Sequence, residues 1–274
     1  MREFMYDQPS ILIASILFVS MLLSIELGYR LGKGSRQSEM SKGQVSAIQG
    51  SLLGVLALLL GFTFSLALQR YDSRSAAVVD EANAIGTSWL RAQMLPGEMG
   101  KAVEAKLREY TAMRVASAKI SLDHAEQREA MLADAARLQA DLWTLARQAV
   151  ALDDRMVTTG LFIQSLNDTI DAFGTRDAAL NRHVPEVVLI LLYITFLMTG
   201  SILGYGSGVS GHRASPVAYV MVGLIVLLVF IIIDLDRPRR GLIEVRQDSL
   251  MELHASMERK TALPAPQAGP ADPR

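Results

Sequence analysis

Four stretches of the chain carry no charged residue for 18 or more positions: residues 8–25, 43–69, 187–211 and 214–233, which are 18, 27, 25 and 20 residues long. Each is dominated by Leu, Ile, Val, Met, Phe and Ala. A helix needs about 20 such residues to cross the hydrocarbon of a bilayer, so the pattern predicts four spanning helices, the first being the shortest. The next longest uncharged run, 156–167, has 12 residues and is interrupted by polar positions. It reads as a packed helix outside the membrane. Arg2 is followed by Glu3 and Asp7, and no small-x-small cleavage pattern follows the first apolar run, so that run is expected to be a retained anchor rather than a signal peptide.

Between the second and third runs, the periodicity changes from continuous to amphipathic. Met131, Ala135, Leu138, Leu142, Leu145, Ala149 and Leu152 alternate at spacings of four and three, an a/d seam. Val103, Leu107, Tyr110, Met113, Ala116 and Ile120 form a second stripe, Ile163, Leu166, Ile170 and Phe173 a third, and Val78, Ala82, Ile85 and Trp89 a fourth. Four such helices predict a bundle. Leu95-Pro96-Gly97-Glu98 is a turn. Nothing breaks the helix between the second span and its first soluble stripe, so span two is expected to run on as far as Met94. The last bundle helix is expected to feed span three with Pro185 as a kink. The expected organisation is all-α: spans one and two in 1–68, a soluble helical bundle in 69–183, spans three and four in 184–235, a juxtamembrane segment in 236–260 and a disordered, proline-rich tail in 261–274.

Composition narrows the function classes. Half of the 274 residues are apolar and 20% are charged, which excludes a disordered chain. A net charge of -1 gives no reason to expect nucleic-acid binding. The absence of cysteine removes disulfides, cysteine-ligated metals and thiol catalysis. His124, His183, His212 and His254 are scattered, and no metal or other cofactor is expected. Lys and Arg near the span ends number nine on the side of the termini and bundle against five on the other. By the positive-inside rule this places the termini and bundle in the cytoplasm and the spans in the inner membrane.

Several motifs have a functional and a plain reading. Gly206-Ser207-Gly208-Val209-Ser210-Gly211 spells a dinucleotide fingerprint, but a span precedes it instead of a strand, so it reads as an interfacial loop. Gly204-Tyr205-Gly206 lacks the residues that precede a potassium filter. Asp153-Asp154 reads as a helix cap. On span two, Ser46, Gly50 and Gly54 are four apart and continue into Leu58, Phe62 and Leu66. The row suits close helix packing, and it also suits a pore wall that gates by dewetting. Arg70, Asp72 and Arg74 stand where span two leaves the membrane. Asp80 and Asn83 share a face with Thr87, and Asn167 and Asp171 interrupt the apolar side of the last bundle helix. These polar groups are either buried inter-helix hydrogen bonds or the lining of a vestibule. Asp234 directly follows Ile231-Ile232-Ile233, and a carboxylate at that depth is expected to pair with Arg70 or with an arginine of its own motif.

Three stretches carry a family resemblance: Leu59-Leu60-Gly61-Phe62-Thr63-Phe64-Ser65, Val79-Asp80-Glu81-Ala82-Asn83-Ala84-Ile85-Gly86-Thr87 and Asp234-Leu-Asp236-Arg237-Pro238-Arg239. To about residue 255 the chain resembles a family of bacterial membrane proteins described as bestrophin-like, distantly similar to the bestrophins, which are pentameric ion channels. The resemblance implies a homo-oligomer conducting small ions in a lipid bilayer. Gly61, Phe62, Ser65, Arg70 and Tyr71 match the glycine, aromatic, hydroxyl, arginine and aromatic of the bestrophin pore helix. The neck positions correspond to Gly54, Leu58 and Phe62, with glycine at 54 departing from the bulky pattern. The acidic calcium clasp is missing, so calcium gating is not implied. Gly54, Leu58, Phe62 and Ser65 are then the expected pore lining, and Ser46, Gly50 and Gly61 the expected packing face. Arg70, Asp80, Asn83, Asn167 and Asp171 are the expected polar groups of the bundle. Asp234, Asp236, Arg237 and Arg239 close span four. A channel is the first expectation. A membrane-anchored sensor or scaffold whose bundle binds a partner is the second, and no catalytic constellation points to an enzyme.

Overall fold

The computed structural model describes residues 10–34, 39–118, 125–237 and 242–262. All regular structure among them is helical: α1 (Ser10–Gly34), α2 (Glu39–Ala92), α3 (Gly97–Ser117), α4 (Ala125–Leu152), α5 (Leu161–Leu180), α6 (Glu186–Val209), α7 (Pro216–Asp236) and α8 (Asp248–Ala262), with a π-helical turn at Met156–Gly160 leading into α5. Four of the helices, α1, α2, α6 and α7, are long and apolar enough to cross a membrane. Arg239, His124, Ile120 and most of the proline-rich tail lie outside the described residues.

The chain divides into two compact units. Residues 1–72 and 182–244 form the apolar one, and residues 73–181 and 245–274 form the other. α2 has 54 residues and contributes to both. It ends two residues short of Met94, where Pro96 caps α3 and Gly97 adopts a left-handed φ of 49°. The passage from α5 to α6 is a break and not a kink. α5 stops at Leu180, and Pro185 is the N-cap of α6 because it has no N–H to continue a ladder.

In the apolar unit, α1 and α6 run parallel in backbone contact. Gly28 and Gly32 of α1 interlock with Gly200, Gly204 and Gly208 of α6. A Cβ on Gly28 would stand 1.9 Å from the Ser201 carbonyl oxygen, and one on Gly204 would stand 1.9 Å from that of Ile25. Ser24 Oγ donates to the Leu197 carbonyl at 2.6 Å and lies 2.7 Å from Ser201 Oγ. Small residues four apart on both helices permit this approach. The segment read as an interfacial loop is therefore largely helix. Only Ser210 and Gly211 form the turn, with Gly211 at φ 76°. Leu17, Met21 and Ile25 of α1, Leu56 and Leu60 of α2, Phe196 of α6 and Val222, Val229 and Ile232 of α7 fill the core.

The second unit is the expected bundle with one more helix. Val78, Ala82 and Ile85 of α2, Val103 and Leu107 of α3, Ala135, Leu138 and Leu142 of α4 and Phe162 and Leu166 of α5 are buried. α8, expected only as a juxtamembrane segment, packs here as a helix with Leu250 and Met257 fully buried. Asp153 precedes the π turn, whose N-cap is Arg155 and receives no side-chain cap, so the expected cap is not formed there. Asp153 accepts hydrogen bonds from the Arg155 guanidinium, the Thr158 hydroxyl and the Arg155 amide, which hold its carboxyl well below the usual range.

Gly204→Ala should force α1 and α6 apart. It should lower the thermal midpoint and folded yield in mild detergent by an amount in the usual overpacking range of about 1–3 kcal/mol or beyond. Gly54→Ala, whose new methyl meets nothing within 4 Å, should leave both near wild type.

Candidate functional site

α2 is two-faced inside the apolar unit. Leu56, Leu60, Thr63 and Ala67 are buried at spacings of four, three and four. Thr63 stays on that face because its hydroxyl donates back to the Leu59 carbonyl at 2.6 Å. The opposite face carries Gly50, Gly54, Leu58, Gly61 and Ser65, all exposed, with Phe62 on its flank. Leu58 is 59% exposed and Phe62 63%. A Cβ on Gly50, Gly54 or Gly61 would meet nothing within 4 Å. No described helix therefore packs on Gly50 or Gly61, and among the described residues the expected packing face is open. The close glycine approach occurs between α1 and α6 instead. Ser46 borders a cavity taken up below.

The exposed face of α2 differs in chemistry from those of its neighbours. α1 exposes Ile11, Ile16, Val19, Leu23 and Leu27, α6 exposes Val187, Ile190, Ile194 and Met198, and α7 exposes Val217, Val220, Leu224 and Leu227. These are surfaces suited to acyl chains. α2 exposes Gly50, Ser51, Gly54, Gly61, Ser65 and Gln69, then Asp72, interleaved with Ile48, Val55, Leu58, Phe62 and Leu68. Glycine and polar groups facing hydrocarbon forgo dispersion contacts and leave dipoles unsolvated, so such a face needs protein or water against it. Arg70 is half-buried, and its Nε has no hydrogen-bond partner.

In the second unit Asp80, Asn83 and Thr87 of α2 and Asn167 and Asp171 of α5 are all exposed. Buried inter-helix hydrogen bonding is thus not their role within the chain. That role falls to residues one position away. Glu81 is 0% exposed and takes the Arg114 guanidinium in a two-pronged pair, Nε to Oε1 at 2.6 Å and Nη2 to Oε2 at 3.2 Å. Arg176 Nη1 donates to the same Oε2, and its Nη2 donates to Gln247 Oε1 at 2.6 Å. Arg114 also lies over the Phe173 ring, 4.6 Å from its centroid. One carboxylate thereby joins α2, α3, α5 and the segment leading to α8. Ser88 and Thr169, 2.8 Å apart, link α2 to α5 again. Burial works to raise the Glu81 carboxyl, but the two guanidiniums outweigh it and hold the group below its ordinary value of 4.5. Burial, with Glu81 nearby, pushes the Tyr110 hydroxyl up to about 12.

The end of span four is built differently from the expectation. Asp234 pairs with neither Arg70 nor an arginine of its own motif among the described residues. Its Oδ2 accepts from the backbone amides of Leu242 and Ile243, both at 2.9 Å, so it folds the following turn back onto the helix end. Asp236 Oδ2 accepts from the Val184 amide at 3.0 Å and lies 3.7 Å from His183 Nδ1, tying the start of span three to the end of span four. Arg237 is buried beside them.

Glu81→Gln should leave two buried guanidiniums without a countercharge. Breaking a buried pair in this way costs about 3–5 kcal/mol, which should lower the midpoint of the full chain in detergent by on the order of 10 °C at pH 7. A carboxyl whose folded pKa is depressed stabilises above its unfolded value and loses that contribution as pH falls through the folded one. The gap between wild type and Glu81→Gln should therefore hold from pH 7 to 5 and close only below 4.5. A gap that was already closed at pH 5 would show that the carboxylate is not the element holding the helices.

Comparison with known proteins places this architecture. Two variant crystal structures of a bacterial bestrophin homologue from Klebsiella pneumoniae superpose with TM-scores of 0.68 each. They are 15% and 13% identical, and in each case 92% of this chain and 99% of theirs are covered. A crystal structure described as a membrane protein variant superposes at 0.67 with 15% identity over 91% of this chain and all of that one. At such identities the likeness is one of fold. No curated protein matches. Residues 16–250 match the profile of the bestrophin-like domain, and the chain belongs to that family.

Proposed function

We propose that this membrane protein is an oligomeric ion channel in which α2 of each copy faces a shared axis. The observation that carries the reading is the open face of α2: a strip of exposed glycine, serine and glutamine, with Leu58 and Phe62 beside it, runs along this spanning helix, while its three neighbours expose mainly Leu, Ile and Val. Copies arranged about an axis give that face water, and their outer helices meet lipid. Bestrophins are ion channels, and family membership adds weight by analogy. Leu58 and Phe62 supply the bulk for a constriction that excludes water and slows ions by dewetting. Gly54, one turn away, leaves the neck wider at that end. The charge bias around the spans supports a cytoplasmic bundle and an inner-membrane location. Asp80, Asn83, Asn167 and Asp171 then line the cytoplasmic vestibule.

The exposed charged residues of α2 between positions 43 and 92 are Asp72 and Asp80. Repeated around an axis they form acidic rings, which favour cations over anions. Flux from proteoliposomes holding the purified protein tests both parts. Phe62→Ala and Leu58→Ala should each raise flux several-fold, whereas Phe64→Ala should act on stability. Asp80→Asn should move the reversal potential under a salt gradient toward anion permeability. Cysteine introduced at 62, in a chain that has no other, should cross-link between copies, and cysteine at 64 should not. A wild-type protein that is monomeric in gentle detergent, carries no flux and gains none from Phe62→Ala would replace the channel by a membrane-anchored scaffold.

A further inference from the structure

The motif Gly206-Ser207-Gly208-Val209-Ser210-Gly211 is not used by the pore reading, yet it forms one wall of a cavity. At the end of the apolar unit where α1 and α6 finish and α2 and α7 begin, a half-open cavity of about 360 Å³ is bounded by α2, α6 and the 210–215 connection. Its polar wall is Ser46, Gln49, Ser207, Ser210, Arg213 and Ser215. His212 also borders it. No carboxylate lines it among the described residues.

Several donors in this cavity are available. Ser207 is committed, its hydroxyl donating to the Leu203 carbonyl at 3.0 Å. Ser215 is not: its oxygen accepts from the Ala218 amide as the N-cap of α7, which leaves its O–H to donate. Gln49 reaches the Ile202 carbonyl through one N–H at 3.5 Å and keeps a second. It enters because residue 206 is glycine; a Cβ there would stand 3.3 Å from both of its terminal atoms. The His212 ring approaches the Ser210 carbonyl through Nδ1 at 2.9 Å. Arg213 is the cationic centre. It makes a long ion pair with Glu26, 4.0 Å from Nη2, and lies 5.6 Å from the centroid of the Tyr29 ring, while Glu26 is hydrogen-bonded to Arg30 at 2.9 Å, so the Arg213 N–H groups are left to donate.

One guanidinium surrounded by single donors from three separate segments suits an oxyanion with several acceptor oxygens better than a halide or a cation. Val45, Leu203 and Ala218 give the cavity an apolar side, and its volume leaves room beside the anion for an alkyl substituent. We infer that this cavity is a binding site for a phosphate ester, with the phosphate on Arg213 and the Ser and Gln donors and the ester group against the apolar wall. The site lies at the membrane end of the helices, so the ester is either a phospholipid headgroup or a small soluble phosphate.

The test uses the full chain, stripped of lipid in a non-ionic detergent. One arm titrates glycerol 3-phosphate by calorimetry. The other offers dioctanoyl phosphatidylglycerol and counts retained lipid by native mass spectrometry. Three variants are compared. Arg213→Gln removes the centre, and Ser46→Leu fills the cavity without altering a charge. Lys33→Gln is the control, since Lys33 is an exposed cation at the same end of the unit and does not line the cavity. Saturable binding should weaken at least about tenfold in Arg213→Gln, the size of one lost charge-assisted hydrogen bond. It should also weaken in Ser46→Leu and stay unchanged in Lys33→Gln. Binding in the first arm identifies a soluble ester, and binding in the second arm alone identifies a headgroup. Binding in neither arm, or an equal loss in Lys33→Gln, overturns the site. None of these readouts depends on ion flux, so the site stands or falls apart from the channel.

Discussion

Hydrocarbon gives two apolar helices no reason to prefer each other over lipid, so a helical membrane unit holds together only where backbones come close enough for many short contacts. In this chain that condition is met between α1 and α6. The glycines at 28, 32, 204 and 208 let carbonyl oxygens of one helix approach the Cα atoms of the other, and such Cα–H···O contacts add to the packing. α7 completes the core with Val and Ile. α2 is attached through one face only, by Leu56, Leu60 and Ala67, and its remaining face has no task in the isolated unit. The open face of α2 follows from where the glycines that do pack are located.

Outside the hydrocarbon the balance of forces changes, and so does the adhesive. The second unit is a helical bundle with an ordinary apolar core, but its centre holds Glu81, Arg114 and Arg176. A buried ion cluster is weak support for stability compared with well-packed apolar side chains, because desolvation consumes most of the attraction. What it supplies here is register. The two-pronged contact of Arg114 fixes the rotation of α3 against α2, and Arg176 does the same for α5 while reaching Gln247 at the approach to α8. An apolar contact would tolerate a slide of an ångström; this one would not.

Much of this was legible in the sequence. The four uncharged runs located the spans because length and apolarity decide that question almost alone. The absence of a helix breaker carried α2 out to Ala92, and the a/d seam of α4 is buried at Ala135, Leu138, Leu142 and Ala149. Asp80 and Asn83 stand out in the sequence as candidate inter-helix polar groups, and Glu81 and Arg114 do not. Yet Glu81 lies three residues after Val78 and four before Ile85, and Arg114 lies four after Tyr110 and seven after Leu107, on the buried stripes themselves. Close helix packing is read from the glycines of α2, although Gly200, Gly204 and Gly208 repeat at the same spacing. Asp234 was assigned an arginine because backbone amides do not show in a sequence. α8 went unread, although Leu250, Leu253 and Met257 have helical spacing.

The neighbouring carboxylates Asp80 and Glu81 separate structure from function most sharply. A helix turns by about 100° per residue, so the two side chains leave α2 in different directions. Glu81 goes inward, where two guanidiniums make it part of the fold, and its loss is a loss of stability. Asp80 goes outward with Asn83 and Thr87 and touches none of that cluster. Gly54, Gly61 and Ser65 are exposed in the same way, and a Cβ on either glycine would meet nothing within 4 Å. The helix thus has two faces with different environments. The inner face answers to packing and to Arg114 and Arg176, and the outer face meets no described side chain that would fix its residues.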